Sequence, residues 1–63
     1  MKKLIRLKRV TSLTGFGSSY IYNGIQEGTF PSPIKVGRAS RWVEQEVLAW
    51  NQRRIDESRE EVS

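Results

Sequence analysis

The sequence predicts a mainly α-helical fold with a small β-hairpin wing, a winged helix-turn-helix of three helices. Two short helical patterns flank Gly15-Phe16-Gly17, and a turn of this length between helices is the spacing of a helix-turn-helix. The segment from Ile34 to Trp42 alternates on both sides of Gly37, which is typical of a tight hairpin. A longer helical pattern follows from Val43.

The chain of 63 residues allows one domain with one small core. We assign residues 1–55 to the winged helix-turn-helix domain and residues 56–63 to a polar C-terminal tail that frays. The sequence contains no Cys and no His. This composition excludes disulfides, thiol nucleophiles and the usual zinc sites.

The first helix is predicted over residues 8–14. Val10 and Leu13 are three residues apart and share a helical face with Leu7, and Gly15 supplies a helix stop. The preceding Leu4–Leu7 run alternates loosely, so it fits either a short edge strand or an extended lead-in.

The second helix is predicted to begin near Ser18 and to end at Gly28. Ser18 is preferred to Gly17 as its cap because a hydroxyl can accept a hydrogen bond from a free backbone amide. The buried stripe of this helix is predicted to comprise Tyr20, Ile21, Gly24 and Ile25.

Two residues of this region are assigned a packing role. Gly24 costs the helix about 1 kcal/mol relative to Ala, and the expected reason is the close approach of another helix. Phe16 lies in the turn and is expected to point into the core, because a large apolar side chain in a tight turn generally does so.

Beyond the second helix, the sequence predicts a stiff corner and then the wing. Pro31 and Pro33 remove two amide donors, so this segment is a rigid elbow, with Phe30 filling the core. The wing is expected to point Ile34 and Val36 inward and Lys35 outward, with Arg38 at its tip.

The third helix carries Val43, Val47 and Trp50 at positions i, i+4 and i+7. Its stripe is flanked by Leu48 and Ile55, and its first turn holds Glu44 and Glu46, where negative charge suits the helix dipole. Trp42 and Trp50 are interpreted as core residues that hold this helix to the wing. A stacking platform for single-stranded nucleic acid is the less favoured alternative.

The charge is divided unevenly along the chain. Residues 1–41 hold eight basic residues and one acid, whereas residues 42–63 hold three basic residues and six acids. Such a chain can present its positive part to a polyanion. Charges interrupt the apolar start too often for a signal peptide or a membrane span, so we expect a cytoplasmic, nucleoid-associated protein.

Enzymatic chemistry is not expected. Acid–base or triad catalysis needs a His or a close carboxylate pair, and Glu44 and Glu46 are two residues apart, which places them on different faces of a helix. The glycines follow no phosphate-binding fingerprint. The sequence therefore predicts no catalytic residue, no metal site and no cofactor.

Duplex DNA is the polyanion that this arrangement fits. The second helix of a helix-turn-helix enters the major groove with its N-terminal residues at the base edges. For Tyr22 and Asn23, phosphate contact or simple exposure is an equal alternative, and Tyr20 is also compatible with the core. The candidate DNA-binding residues are Ser18, Ser19, Tyr20, Tyr22 and Asn23 on this helix, Lys35, Arg38 and Arg41 on the wing, and Lys8 and Arg9 as phosphate contacts.

The sequence also resembles a known family over about residues 4–54. The resemblance is carried by Leu4-Ile5-Arg6-Leu7, Val10, Leu13-Thr14-Gly15, Ser19, Ile21-Tyr22, the unbroken block from Ile25 to Ser40, Trp42, Glu46-Val47 and Trp50. Its most specific parts are Glu27-Gly28-x-Phe30-Pro31-x-Pro33, Gly37-Arg38 and Glu46-Val47-x-x-Trp50. On these residues the chain resembles the AlpA family of phage-type transcriptional regulators.

The resemblance implies a MerR-like winged-helix fold related to phage excisionases, acting on prophage or genomic-island DNA, often by switching on an integrase or excision gene. It also implies that residues 18–27 form the recognition helix and residues 35–41 the wing. The chain departs from the family pattern at Gly17, where relatives often carry a serine cap, and at Gly24, which replaces a Leu-like position. Where relatives often carry basic residues, it has Ser18, Asn23 and Gln26. These departures reduce the positive charge of the recognition helix, so more of the attraction to DNA is expected from the wing and the N-terminal segment.

The expected function is sequence-specific binding of duplex DNA and transcriptional regulation of prophage or mobile-element genes. The expected partners are double-stranded DNA, a second copy of the chain on repeated half-sites and an integrase, with no membrane. Two alternatives stay open: a recombination directionality factor that bends attachment-site DNA, and a protein-interaction adaptor that uses the acidic last helix.

Overall fold

The computed structural model describes the backbone of residues 2–62 and the side chains of residues 2–59. Met1 and Ser63, which the predicted domain and tail include, lie outside the described residues. The elements are, in order, β1 (Leu4–Ile5), α1 (Leu7–Thr14), α2 (Ser18–Glu27), β2 (Ile34–Val36), β3 (Ala39–Val43) and α3 (Glu44–Val62). This confirms the predicted winged helix-turn-helix of three helices.

The wing belongs to a three-stranded antiparallel sheet in the order β1-β3-β2. In the hairpin, Ile34 lies opposite Arg41, Lys35 opposite Ser40 and Val36 opposite Ala39. The two residues of β1 pair with the other edge of β3, where Leu4 lies opposite Val43 and Ile5 opposite Trp42. The backbone amide of Glu44 donates to the carbonyl of Lys3 at 2.8 Å. The N-terminal strand therefore anchors the base of the wing.

One hydrophobic core joins the helices to the sheet. Val10, Phe30 and both tryptophans are buried, as predicted, and Leu7 and Leu13 pack against the core from α1. The core cluster comprises Ile5, Val10, Ile21, Phe30, Trp42, Val47 and Trp50.

Trp50 joins α3 to the elbow, because its indole N–H donates to the carbonyl of Thr29 at 2.7 Å. Trp42 lies in β3, and α3 begins at Glu44, so the helix starts one residue later than its pattern from Val43 suggested. Trp50 was predicted to hold α3 to the wing. It packs instead on Phe30 of the elbow, with ring centres 4.7 Å apart.

The start of α2 differs from the prediction. Gly17 is the N-cap residue, with φ −77° and ψ 167°, and Ser18 is already the first helical residue. Its hydroxyl is therefore one position too late to cap, and no side-chain hydrogen bond caps α2. The end is as predicted, since Gly28 adopts the left-handed conformation with φ 80°.

The predicted inward position of Phe16 is wrong. Its side chain is 36% exposed and stacks on the ring of Tyr20, with centroids 4.1 Å apart and planes 12° apart. Phe16 also contacts the ring of Trp50 edge to face, with ring centroids 5.9 Å apart. The turn places Phe16 at the rim of the core, where it packs against Trp50 and stays partly exposed.

Gly24 has a packing reason, but its neighbour is not another helix. A Cβ at this position would lie 3.0 Å from Cβ of Phe30 and 3.3 Å from Oγ1 of Thr29. The chain doubles back after Gly28, so the elbow itself presses on α2.

The faces predicted for the wing residues are reversed: Ile34 and Val36 were predicted inward and Lys35 outward, but Lys35 lies on the sheet face of the buried Trp42. Ile34 is 46% exposed and Val36 is 53% exposed, because the hairpin extends past the helices that could cover it. Leu48 and Ile55, which flank the stripe of α3, are likewise exposed.

The third helix continues past Ile55 to Val62. Residues 56–62 are therefore helical, and the boundary proposed at residue 55 is not a helix end; fraying of the tail stays a prediction. Within residues 2–62, no helix combines the length and apolar character needed to cross a membrane.

Candidate nucleic-acid interface

Helix α2 turns one side to the core and the other to solvent. Ile21 and Gly24 are buried, and the helical rotation of about 100° per residue places Ser19, Asn23 and Gln26 on the opposite side, within about 60° of one another. The five residues predicted on this helix, Ser18, Ser19, Tyr20, Tyr22 and Asn23, are all exposed. Gln26 is exposed as well. The sequence analysis did not select it, although its spacing of three from Asn23 was the available signal.

The two tyrosines lie on opposite flanks of α2. Tyr22 faces the sheet, and its ring centre is 6.4 Å from that of Trp42, with planes 61° apart. Tyr20 stacks on Phe16 of the turn before α2, and Phe16 in turn contacts Trp50 of α3. The structure therefore excludes the core alternative for Tyr20 and brings Tyr22, not Tyr20, next to the sheet that carries the wing.

Lys35 extends the surface of α2 onto the wing. Residues opposite each other in an antiparallel pair point to the same face, and side chains alternate along a strand. Lys35, Ser40 and Trp42 therefore share the sheet face that meets the helices, and Nζ of Lys35 donates to Oγ of Ser40 at 2.8 Å. Since Trp42 also contacts Tyr22, Lys35 and α2 lie on the same side of the sheet.

The turn of the wing carries Arg38. Gly37 takes the left-handed conformation there, with φ 63°, and the side chain of Arg38 is exposed. This agrees with the predicted position at the tip.

Arg41 lies on the other face of the hairpin. It pairs with Ile34, it is half-buried, and its guanidinium donates to the carbonyl of Ser40 at 2.9 Å. The structure therefore separates Arg41 from Lys35, which the sequence had grouped in one wing surface.

Lys8 and Arg9 belong to a separate basic groove beside β1. Both are exposed on α1 and line an open groove together with Lys3 and Arg6. Because β1 and β2 pair with opposite edges of β3, this groove lies at the β1 edge of the sheet and Lys35 lies at the β2 edge. Sequence reasoning missed both Lys3 and Arg6. Arg6 directly precedes α1 as its N-cap residue, and its adjacency to Lys8 and Arg9 in sequence was the available signal; Lys3 is held beside this segment by the pairing of β1 with β3.

The cations of the wing are not engaged by acids. The segment from Gly28 to Arg41 contains no Asp or Glu, and no ion pair forms to Lys35, Arg38 or Arg41 among the side chains of residues 2–59. Arg54 and Glu57 of α3 form a long, exposed pair of 3.7 Å. The positive charge of the wing is therefore available to an anionic partner.

A protein-family model described as prophage CP4-57 regulatory protein (AlpA) matches residues 3–55. No curated protein and no solved structure matches the chain. The matched segment covers β1 to the first 12 of the 19 residues of α3 and includes α2, the wing and the basic groove.

Proposed function

The chain belongs to the AlpA family of prophage regulatory proteins, and from this membership we propose that it binds duplex DNA sequence-specifically and regulates transcription of prophage or mobile-element genes, such as integrase or excision genes. In this proposal α2 enters the major groove, while the wing follows the backbone or the adjacent minor groove.

The observation that carries the proposal is that α2 and Lys35 of the wing lie on the same side of the sheet. Tyr22 contacts Trp42, and Trp42 shares a sheet face with Lys35. A polar helix face and a cationic hairpin on the same side of the sheet can offer base contacts and phosphate contacts to the same duplex. Lys8 and Arg9 are proposed to contact phosphates farther along the duplex.

A salt titration tests the proposal. Fragments retained by the purified protein from its own genomic DNA would be labelled, and their affinity measured by fluorescence anisotropy at several salt concentrations. Each phosphate contact contributes about 0.9 to the slope of log K against log salt, so Arg38→Ala is expected to reduce the slope by about one.

The matched control is Arg53→Ala. Arg53 is exposed on α3 beside Gly28 and Thr29, at the end of α2 opposite to its proposed base-reading N-terminus, so removing the same charge there should leave the slope unchanged. A salt-independent affinity of the unmodified protein, or equal effects of the two variants, would contradict the proposal.

Two finer parts of the proposal have their own tests. A single module of this size buries about 600–1,000 Å² on DNA, so we expect two or more copies on repeated half-sites, which the stoichiometry of the complex measures. A footprint over a promoter supports the regulator, whereas a footprint over an attachment site supports the directionality factor.

A further inference from the structure

We propose that α2 reads adenine through the paired amides of Asn23 and Gln26, so that the core of the bound site consists of A·T base pairs. This inference rests on the proposed function and adds the class of sequence that the helix selects.

The two amides are placed to act together. Asn23 and Gln26 are three residues apart, which puts them on the same side of α2, opposite the buried Ile21 and Gly24. Their separation along the helix axis is about 4.5 Å, which is close to the rise of about 3.4 Å between successive nucleotides of a strand. They can therefore meet neighbouring base pairs.

Both amides are also available. They are exposed, and no hydrogen bond engages either of them among the side chains of residues 2–59. On α3, in contrast, the amide of Asn51 donates to the carbonyl of Leu13 at 3.4 Å, and that of Gln52 donates to the carboxylate of Asp56 at 3.0 Å.

The chemistry of these side chains selects adenine. A side-chain amide presents one donor and one acceptor, which match N7 and the N6 amino group of adenine in the major groove. Guanine presents two acceptors there and is read by Arg or Lys. The sequence has no Arg or Lys between Arg9 and Lys35, so α2 has no cation with which to select guanine.

The wing favours the same base pairs by a different route. A·T tracts have a narrow minor groove with an enhanced negative potential that attracts inserted Arg side chains. Arg38 is exposed in the turn of the wing, at the end of the face that begins beside α2. An A·T-rich site therefore suits both contact elements.

The test is selection from a randomised duplex library, with the retained sequences read out for each protein. The unmodified protein is expected to enrich sites with adenine at two neighbouring or nearly neighbouring positions. Asn23→Ala and Gln26→Ala are each expected to lose the preference at one position, by about 5- to 150-fold. Gln26→Arg is expected to move the preference at its position to guanine.

The control is Gln45→Ala, which removes an exposed amide from α3 and should leave the selected motif unchanged. Circular dichroism confirms that the α2 variants remain folded. A motif with a G·C core, or an A·T motif that both single variants retain in full, overturns the inference while leaving DNA binding intact. Failure to retain any duplex, or retention without any enriched motif, overturns the proposed function and the inference with it.

Discussion

Gly24 shows how a single residue sets the distance between α2 and the elbow. The amides of Thr29 and Phe30 both donate to its carbonyl, at 2.8 and 3.2 Å, and the hydroxyl of Thr29 donates to the same oxygen at 3.3 Å. These bonds draw the elbow onto the helix at a place where a Cβ would lie closer to Phe30 and Thr29 than Cβ atoms usually approach their neighbours. The approach positions Phe30 in the core directly behind the exposed face of α2.

Gly24→Ala is expected to destabilise the protein by about 1–3 kcal/mol, the usual cost of overpacking, although Ala is the better helix former. The new methyl group would lie 3.0 Å from Cβ of Phe30, an atom too close to the backbone to move alone. Urea unfolding measures the change. Asn23→Ala on the exposed side of α2 is the control, and a Gly24→Ala protein as stable as this control would contradict the packing account.

Gly17 offers the opposite case, a position where a side chain should help. Its φ of −77° and ψ of 167° suit any residue, and an added Cβ meets nothing within 4 Å. Gly17→Ser is expected to raise the free energy of unfolding by a few tenths of a kcal/mol, because the hydroxyl can cap a free amide of α2. Thermal melts compare it with Gly17→Ala, which adds the Cβ alone and should show no gain.

At the scale of elements, strand β1 has two unlike faces. Ile5 is 5% exposed and belongs to the core, whereas Leu4 is 43% exposed. Ile5→Ala is expected to cost about 2–5 kcal/mol, and Leu4→Ala much less. Chemical unfolding of both variants checks this, and equal losses would indicate that β1 contributes pairing to β3 without filling the core.

The elements that local signals define were predictable from the sequence. Residues 18–27 carry a 3.6-residue pattern between Gly17 and Gly28, and the structure has a helix over the same residues. Strand β1 was left open because its two residues become a strand only by pairing with β3. No local sequence pattern shows that β1 pairs with the edge of β3 opposite to β2.

Orientation was harder to predict than element type. The alternation of the wing correctly placed Lys35 on the face opposite to that of Ile34 and Val36. Whether a face is covered depends on what packs against it, and the face that carries Ile34 and Val36 stays exposed. Phe16 was misplaced for the same reason, since its neighbour is an aromatic ring of α2. The sequence identified most residues of the candidate site. It did not show that Arg41 and Lys35 lie on different faces, which follows from the strand register, or that Gln26 lies beside Asn23, which follows from the helix rotation.

At the scale of the whole molecule, α3 carries acidic charge away from the sheet. Residues 56–63 contain four acids and one base, so removing them raises the formal net charge from +4 to +7. The side chains from Asp56 to Arg59 are exposed. The last two turns of α3 therefore contribute more to the field around the protein than to its core.

A chain ending at Ile55 is expected to unfold with a free energy within about 1 kcal/mol of the full chain, because surface contacts contribute little. Its affinity for unrelated duplex DNA at low salt should increase, since less negative charge opposes association. Anisotropy with a scrambled duplex measures this. An unchanged affinity would mean that the acidic turns lie too far from the bound DNA to influence it.

The contact between Tyr22 and Trp42 also gives the protein an optical reporter of its own. Tyr22 is 47% exposed on the flank of α2 that faces the sheet, Trp42 is 1% exposed, and their ring centres are 6.4 Å apart. At this distance, excitation absorbed by the phenol passes to the indole. DNA that binds against the Tyr22 ring is therefore expected to change the tyrosine-sensitised emission of Trp42. This emission would follow occupancy without an added dye.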